Sequence, residues 1–281
     1  MRIRFAKMHG AGNDFVLIDD RDGACSASWG RDALRRVRIL SAIGVRGTGI
    51  GCEGVILVQK SATADFRMRF FNPDGSEAEL CGNGARCVAA FAREIGAVKS
   101  DRMRFETLAG EVGAEIVGPG LVRVEMPQPG DLRDDFINSG VPHRIVSVDD
   151  LAGVDVEGEG RRIRHSDEFA PAGTNVDFVT YRAPYDVSIR TYERGVEAET
   201  GACGTGSVAA ALVGVAQHGL EFPVKVRTVK GFELVIDGAF DGQAFRSVTL
   251  TGPVARVFDG EIDLDSLDIP PEYRHNIINN V

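Results

Sequence analysis

The sequence predicts a mixed α/β (α+β) fold of two pseudo-symmetric halves, each a mostly antiparallel sheet around a buried helix. Three observations predict it. Short runs in which apolar and charged residues alternate indicate half-buried strands. One helical segment is apolar on every side, so the rest of its domain must surround it. A motif typical of a helix start occurs twice, nearly half the chain apart, which indicates a duplicated unit.

Strands are the commonest predicted elements. Alternating runs begin at Asp65, Asp186 and Val224, and the apolar runs Phe15–Ile18 and Val55–Val58 indicate strands covered on both faces. Because Gly and Pro lie between these runs, we expect antiparallel connections rather than repeated parallel βαβ units.

Three helices are expected. The first covers Arg31–Leu40 and is amphipathic. The second begins near Gly84, and its apolar residues follow the i, i+3, i+4, i+7 spacing of one helix face. The third begins near Thr205 and contains the run that is apolar on every side, Val208–Val213.

The starts of the last two helices carry the same motif. An acidic residue, Glu77 or Glu199, lies four positions before a cysteine, Cys81 or Cys203, and each cysteine is followed by Gly-x-Gly. The repetition predicts two similar supersecondary units.

The length of 281 residues is typical of about two domains. The segment Pro127–Gly130 is the natural linker. We therefore expect an N-terminal half from residues 1–126 plus about 249–281, and a C-terminal half from residues 127–248. The stretch from Glu261 to Val281 is interpreted as an extension without an assigned function.

Charge and cysteine content exclude several classes of protein. The net charge is −9 and no basic block occurs, so a nucleic-acid partner is not expected. The longest apolar run is half a membrane span, so no membrane is expected either. The five cysteines are odd in number and scattered, and no Cys-x-x-Cys occurs. We therefore expect a reduced, cytoplasmic protein without a structural metal.

The repeated motif suits acid–base chemistry. A helix start exposes unpaired N–H groups and partial positive charge, and glycines let a ligand approach the backbone, so each motif is a candidate carboxylate site. The same field is expected to lower the pKa of Cys81 and of Cys203. Two matched thiols can invert a carbon centre, one removing a proton from one face while the other delivers a proton to the opposite face.

Nucleotide binding is an alternative from another class. The segment Gly204–Ala209 fits G-x-G-x-x-A. In a dinucleotide site, however, this motif follows an apolar strand of a βαβ unit, and here it follows a polar loop. A small-ligand or nucleotide-binding protein with inert cysteines therefore stays as the alternative.

The sequence resembles the diaminopimelate epimerase family over nearly its whole length. The Gly-Asn-Asp-Phe and Glu-Arg-Gly segments are more specific to that family than Cys-Gly-x-Gly, which proline racemases share. The resemblance rests on these segments and residues: Lys7–Phe15, Thr48–Gly51, Phe71–Glu77, Cys81–Cys87, Pro142–His143, Asn175, Tyr192–Gly195 and Ala202–Gly206.

The resemblance implies a fold, a reaction and a set of site residues. Each half would be a β-barrel-like sheet around a central helix. The reaction would interconvert LL- and meso-diaminopimelate, in lysine and peptidoglycan precursor synthesis, without a cofactor or metal. The catalytic acid–base pair would be Cys81 and Cys203, with His143 and Glu193 tuning it. The substrate contacts would be Asn13, Asn72, Gly82, Asn83, Asn175, Glu193, Arg194, Gly204 and Thr205.

Other interpretations stay open at this point. An asparagine in a Gly-rich loop is often a turn residue, His143 could be a structural loop histidine, and Glu193 beside Arg194 could be a solvated charge pair. Val141 stands where many family members have asparagine. A racemase of the same fold acting on another amino acid is a further alternative, and a second copy of the chain is an open partner besides the amino-acid substrate. The remaining cysteines, Cys25, Cys52 and Cys87, are interpreted as structural.

Overall fold

A computed structural model describes residues 1–29 and 32–267. The helices are α1 (Ala24–Trp29), α2 (Ala33–Gly44), α3 (Gly82–Glu94), α4 (Val156–Arg164) and α5 (Gly204–Gln217). The strands are β1 (Arg2–Gly10), β2 (Asn13–Asp19), β3 (Val55–Gln59), β4 (Phe66–Phe71), β5 (Glu77–Ala78), β6 (Arg102–Thr107), β7 (Gly110–Gly118), β8 (Leu121–Glu125), β9 (Phe136–Asn138), β10 (Pro142–Ser147), β11 (Asn175–Arg182), β12 (Asp186–Glu193), β13 (Ala198–Thr200), β14 (Val224–Arg227), β15 (Glu233–Phe240) and β16 (Phe245–Asp263).

The chain divides into two compact units. Of the described residues, unit 1 comprises Met1–Val122 together with 254–267, and unit 2 comprises Arg123–Pro253. The long strand β16 contributes residues to both. Most of the expected C-terminal extension, residues 268–281, lies outside the described residues. In the part of the chain that is described, no helix is both long and apolar enough to span a membrane.

Unit 1 is a closed sheet around α3. Its strands follow the order β1-β2-β3-β4-β6-β7-β8-β16, and β16 pairs with β1 to close an eight-stranded barrel. Helix α3 packs against β1, β2, β3 and β7. Every residue from Gly82 to Ala92 is buried, as the prediction of a central helix requires.

Unit 2 surrounds α5 with strands in the order β16-β15-β14-β12-β11-β10-β9. The six residues Val208–Val213 have no exposed surface. An apolar helix without a polar face is stable in water only when neighbours cover it on all sides. The prediction made from this run is therefore confirmed.

Several elements differ from expectation. Among the described residues, four strand pairs are parallel, namely β2–β3, β4–β6, β10–β11 and β12–β14. Helix α4 was not predicted, because its short sequence contains two glycines and has only Val156 and Ile163 as large apolar residues on its packed face. The first predicted helix extends four residues further, to Gly44.

A matched ion pair precedes each cysteine motif. Short strand β5 pairs with β4, and short strand β13 pairs with β12. In unit 1, Arg69 donates to both oxygens of Glu77, at 2.7 and 2.7 Å. In unit 2, Arg190 donates to both oxygens of Glu199, at 2.8 and 2.7 Å. The acidic residue of each motif therefore binds the short strand before the cysteine, β5 or β13, to its neighbour, β4 or β12.

Candidate active site

Each motif cysteine is the N-cap of its helix. The Gly84 N–H donates to Cys81 Sγ at 3.5 Å, and the Gly206 N–H donates to Cys203 Sγ at 3.3 Å. Because these caps extend the first turn, α3 and α5 begin at Gly82 and Gly204, slightly earlier than expected. The first N–H groups of a helix have no partner within it, so each cap places a sulfur atom beside donors suited to a carboxylate.

In unit 2, hydrogen bonds connect Cys203 to a buried carboxylate. Cys203 Sγ lies 3.5 Å from Thr205 Oγ1, and Thr205 Oγ1 lies 2.9 Å from His143 Nε2. His143 Nδ1 lies 2.6 Å from Asp177 Oδ2, and the Thr191 hydroxyl donates to Asp177 Oδ1 at 2.7 Å. Both His143 and Asp177 are fully buried. This chain of polar groups can orient the Cys203 thiol and carry a proton to or from it.

Strand register brings these residues together. In the parallel pair β10–β11, His143 is the partner of Asn175, and Asp177 follows two residues later on the same face of β11. Across the β11–β12 pair, Asp177 faces Thr191. The sequence analysis missed Asp177. Asp177 could have been recognised because it and Asn175 are polar residues two positions apart at the start of an otherwise apolar strand.

The expectation that the helix field lowers the pKa of Cys203 is wrong. Burial raises the pKa of this thiol well above its ordinary value, and the carboxylates of Glu193 and Asp177 raise it further. The Thr205 hydroxyl and the Gly206 N–H act in the opposite direction but do not outweigh them. Cys203 is therefore a protonated thiol at neutral pH, able to donate a proton. Burial also raises the pKa of the Glu193 carboxyl.

Asn175 and Arg194 form the edge of this cluster. The Asn175 amide donates to the Pro142 carbonyl at 3.1 Å, and its Oδ1 accepts from the Arg194 N–H at 2.7 Å. The Arg194 guanidinium donates to the carbonyl oxygens of Ala172 and Gly173, each at 3.4 Å. Among the described residues no carboxylate pairs with it, so its charge is available to a ligand carboxylate.

In unit 1, two predicted asparagines approach the start of α3. Asn13 begins β2, and its buried Oδ1 has no hydrogen-bond partner among the described residues. Its strand partner Gly10 packs against the first turn of α3, where a Cβ atom would lie 2.8 Å from the Asn83 carbonyl oxygen. Asn83 itself is buried, and its side chain accepts from Arg86 at 2.8 Å.

Asn72 is engaged in its own turn, where its Nδ2 donates to Ser76 Oγ at 3.1 Å. Val141 is half-buried, and its carbonyl accepts from the Ser139 N–H at 3.2 Å.

The remaining cysteines are all buried free thiols. Burial raises the pKa of Cys25 to about 12 and that of Cys52 to about 11. It raises the pKa of Cys87 as well. These three thiols are poor bases at neutral pH.

The Gly-rich start of α5 does not have the surroundings of a dinucleotide site. Helix α5 connects the parallel strands β12 and β14, but the strand directly before it is the three-residue β13, which pairs antiparallel with β12. The motif therefore does not directly follow an apolar strand of a parallel pair. The nucleotide alternative therefore gains no support from the fold.

The fold is that of a class of two-unit proteins that includes isomerases. A hydroxyproline epimerase from Agrobacterium vitis matches with a TM-score of 0.67 and 18% identity, over 95% of this chain and 92% of its own. A phenazine biosynthesis protein of the PhzF family from Bacillus anthracis matches with a TM-score of 0.69 and 17% identity, over 94% and 99%. At these identities the likeness concerns the fold alone.

The sequence relatives are more specific. The family model described as diaminopimelate epimerase matches residues 5–130 and 136–257. The diaminopimelate epimerase of Aquifex aeolicus is 41% identical, over 95% of this chain and 100% of its own length. The chain belongs to the diaminopimelate epimerase family, and it is an isomerase.

Proposed function

We propose that this protein interconverts LL- and meso-diaminopimelate for lysine biosynthesis, with Cys81 and Cys203 as the two acid–base groups. The observation that carries the proposal is the matched pair of caps, in which each sulfur lies beside the open N–H groups of its helix. The family membership supports the substrate. Substrates of other enzymes with this fold have no comparable support from sequence similarity.

The proposed reaction uses two proton transfers and no cofactor. In one direction, the Cys81 thiolate takes the α-proton, which breaks a C–H bond and forms S–H. The Cys203 thiol then delivers its proton to the opposite face, and the two groups exchange roles for the reverse reaction. The carbanion between these steps places charge on the adjacent carboxylate, and preorganised N–H donors at Gly82–Asn83 and Gly204–Thr205 would stabilise that charge.

The other cluster residues have supporting roles in this proposal. The polar chain from Thr205 through His143 to Asp177 orients the Cys203 thiol and stabilises charge when it gives up its proton. Arg194, with no carboxylate partner among the described residues, would hold the second carboxylate of the substrate. Fixing the remote end positions the reacting carbon. Asn13, whose buried Oδ1 has no hydrogen-bond partner in the described part of the chain, would accept a hydrogen bond from the substrate.

The compartment is proposed on the same chemistry. Because the mechanism needs free thiols, we place the protein in the reducing cytoplasm. All five cysteines are free in the structure.

Proton exchange in heavy water tests the proposal. Wild-type protein should convert LL-diaminopimelate to the meso form and incorporate one deuterium at the inverted carbon. Cys81→Ala and Cys203→Ala should each abolish turnover, while Cys87→Ala, a change at a buried thiol outside the caps, should retain it. Near-normal turnover in either cap variant would refute the two-base assignment. Faster turnover of a single-centre amino acid would refute the substrate assignment.

A further inference from the structure

Arg86 is a buried charge that the proposed mechanism does not use. It lies in α3 five residues after Cys81 and has no exposed surface. Arginine is rarely buried without a partner, because moving its charge out of water is costly. The contacts of Arg86 should therefore show what its buried charge does.

The contacts of Arg86 all lie toward the start of its own helix. Its Nη1 donates to the Gly82 carbonyl at 3.2 Å and its Nη2 donates to Asn83 Oδ1 at 2.8 Å. Its Nε has no hydrogen-bond partner, and within residues 1–29 and 32–267 no carboxylate forms an ion pair with it. Helical side chains lean toward the N-terminus, so the guanidinium is drawn back over the turn that Cys81 caps.

Unit 2 lacks this charge. The residue five positions after Cys203 is Val208, which is also fully buried. Beside Cys203 the structure instead places the carboxylates of Glu193 and Asp177. A buried cation therefore acts on Cys81, whereas two anions act on Cys203.

We propose that Arg86 is a positioning residue that holds Cys81 as the resting thiolate and fixes the Asn83 side chain beside it. The cation acts through a low-dielectric interior, where an opposite charge strongly favours the ionised form of a neighbouring group. Because Cys203 is protonated, the charge of Arg86 makes Cys81 the base in the resting protein. This inference rests on the proposed acid–base role of Cys81.

Arg86 keeps its charge at neutral pH. Burial lowers the pKa of its guanidinium to about 10, and the neighbouring sulfurs of Cys87 and Cys81 act in the opposite direction. The interaction is reciprocal, so a guanidinium whose charged form Cys81 stabilises also stabilises the Cys81 thiolate.

Other charged groups on the strands that pack against α3 have their own partners. In β1, Arg2 and Arg4 pair with Glu261 and Lys7 pairs with Asp14, and His9 Nδ1 accepts from the Gly12 N–H. In β2, Asp19 pairs with Arg21. In β7, Glu111 pairs with Arg104 and Glu115 with Arg102. Cys87, in the next turn of α3, has a raised pKa and is uncharged at neutral pH. Arg86 differs from these groups because it is fully buried and has no carboxylate partner among the described residues.

Alkylation of Cys81 as a function of pH tests the inference without relying on activity. Iodoacetamide labelling would be followed by peptide mapping, which separates Cys81 from the buried thiols. In wild-type protein the apparent pKa of Cys81 should lie below the ordinary cysteine value of about 8.5. Arg86→Met, which keeps the length and removes the charge, should raise it by about one unit or more. Arg86→Lys should keep it near the wild-type value.

The matched control is Val208→Ala, which alters the equivalent buried position without a change of charge and should leave the Cys81 profile unchanged. The acidic limb of the kcat profile should also move to higher pH in Arg86→Met and be restored in Arg86→Lys. A wild-type Cys81 pKa at or above the ordinary value overturns the inference, even if Arg86→Met does not fold. So does an unchanged profile in Arg86→Met.

The two proposals fail in different ways. If Cys81→Ala abolishes epimerisation while alkylation of Cys81 is insensitive to Arg86, the mechanism stands and the inference about Arg86 is wrong. If alkylation depends on Arg86 while Cys81→Ala retains turnover, Cys81 is a charge-stabilised thiolate and the two-base mechanism is wrong.

Discussion

Asp177 is the buried carboxylate at the end of the polar chain that begins at Cys203. In Asp177→Asn, His143 loses a charge-assisted partner, so we expect kcat to fall about tenfold or more with a smaller change in KM. The pKa of Cys203 should also fall, because one of the carboxylates that raise it is gone. The measurements are steady-state kinetics and the pH dependence of Cys203 alkylation.

Thr191→Val is the control for this change. It removes one hydrogen bond to Asp177 but leaves the carboxylate charge in place. Its Cys203 alkylation profile should resemble that of the wild type. A Cys203 profile unaffected by Asp177→Asn would contradict the assigned electrostatic influence.

At the level of single residues, the sequence located both sulfurs but not their surroundings. A helix start predicts partial positive charge, and that argument alone gave the wrong sign for the pKa of Cys203. Burial and carboxylates from β11 and β12 outweigh the helix field, and neither is visible in local sequence. Arg86 was missed for a similar reason, since a charged residue in a helix is exposed in most proteins.

The two caps depend on a glycine at the third helical position. A Cβ atom at Gly206 would collide with the buried carboxylate of Asp177, whereas at Gly84 it would meet Ile56 Cδ1 at 3.0 Å. The Ile56 side chain can yield more easily than a carboxylate held by two hydrogen bonds. We expect Gly206→Ala to lower the free energy of unfolding by about 1–3 kcal/mol and to reduce kcat.

Gly84→Ala is the matched variant in the other unit. Gly84→Ala should lower the free energy of unfolding by less than Gly206→Ala, because the Ile56 side chain can move aside. The higher helix propensity of alanine, about 1 kcal/mol over glycine, then offsets more of the loss. Urea unfolding and turnover would be measured for both variants. Equal losses in the two variants would argue against Asp177 as the source of the difference.

Helices and strands were predicted correctly where apolar residues occupy either one face of the element or all of it. Helix α5 was recognised because its run from Val208 to Val213 has no polar residue. The parallel strand pairs were not predicted, because the alternation of apolar and polar residues along a strand does not show in which direction the neighbouring strand runs. Helix α4 has only nine residues, two of them glycines, so its sequence was too short and too poor in helix formers to be recognised.

For the molecule as a whole, the ion pair between Arg69 and Glu77 should contribute to acid sensitivity. Hydrogen bonds from Arg69 hold the pKa of Glu77 below its ordinary value. A carboxyl with a lowered pKa stabilises the fold above its unfolded pKa, and that contribution is lost as the pH falls through its folded value. Glu77→Gln should therefore lower the free energy of unfolding at pH 7 by about 1–3 kcal/mol.

The effect should shrink as the pH falls below the ordinary glutamate range and then disappear. Chemical denaturation at a series of pH values would measure it, with Glu233→Gln as a control at an exposed glutamate. A difference between wild type and Glu77→Gln that is the same at pH 3 and pH 7 would show that the charge of Glu77 is not its cause.

The arrangement of sheets around two central helices followed from the sequence because one motif occurs twice. Two copies of an acidic residue, a cysteine and Gly-x-Gly indicated duplication, and the structure has matched ion pairs and matched caps at those positions. One difference between the copies, Arg86 against Val208, is a buried side chain whose effect depends on its three-dimensional surroundings.

The use of cysteine sulfur as a helix cap has a consequence for covalent inhibitors. Most ligands that occupy an enzyme site raise its melting temperature, because they bind only the folded state. A reagent that alkylates Cys81 or Cys203 instead occupies the atom that accepts the Gly84 or Gly206 N–H. Loss of a cap typically costs about 1 kcal/mol. A thermal-shift screen would therefore undervalue thiol-directed inhibitors of this protein, and mass spectrometry of the modified cysteine would be the better readout.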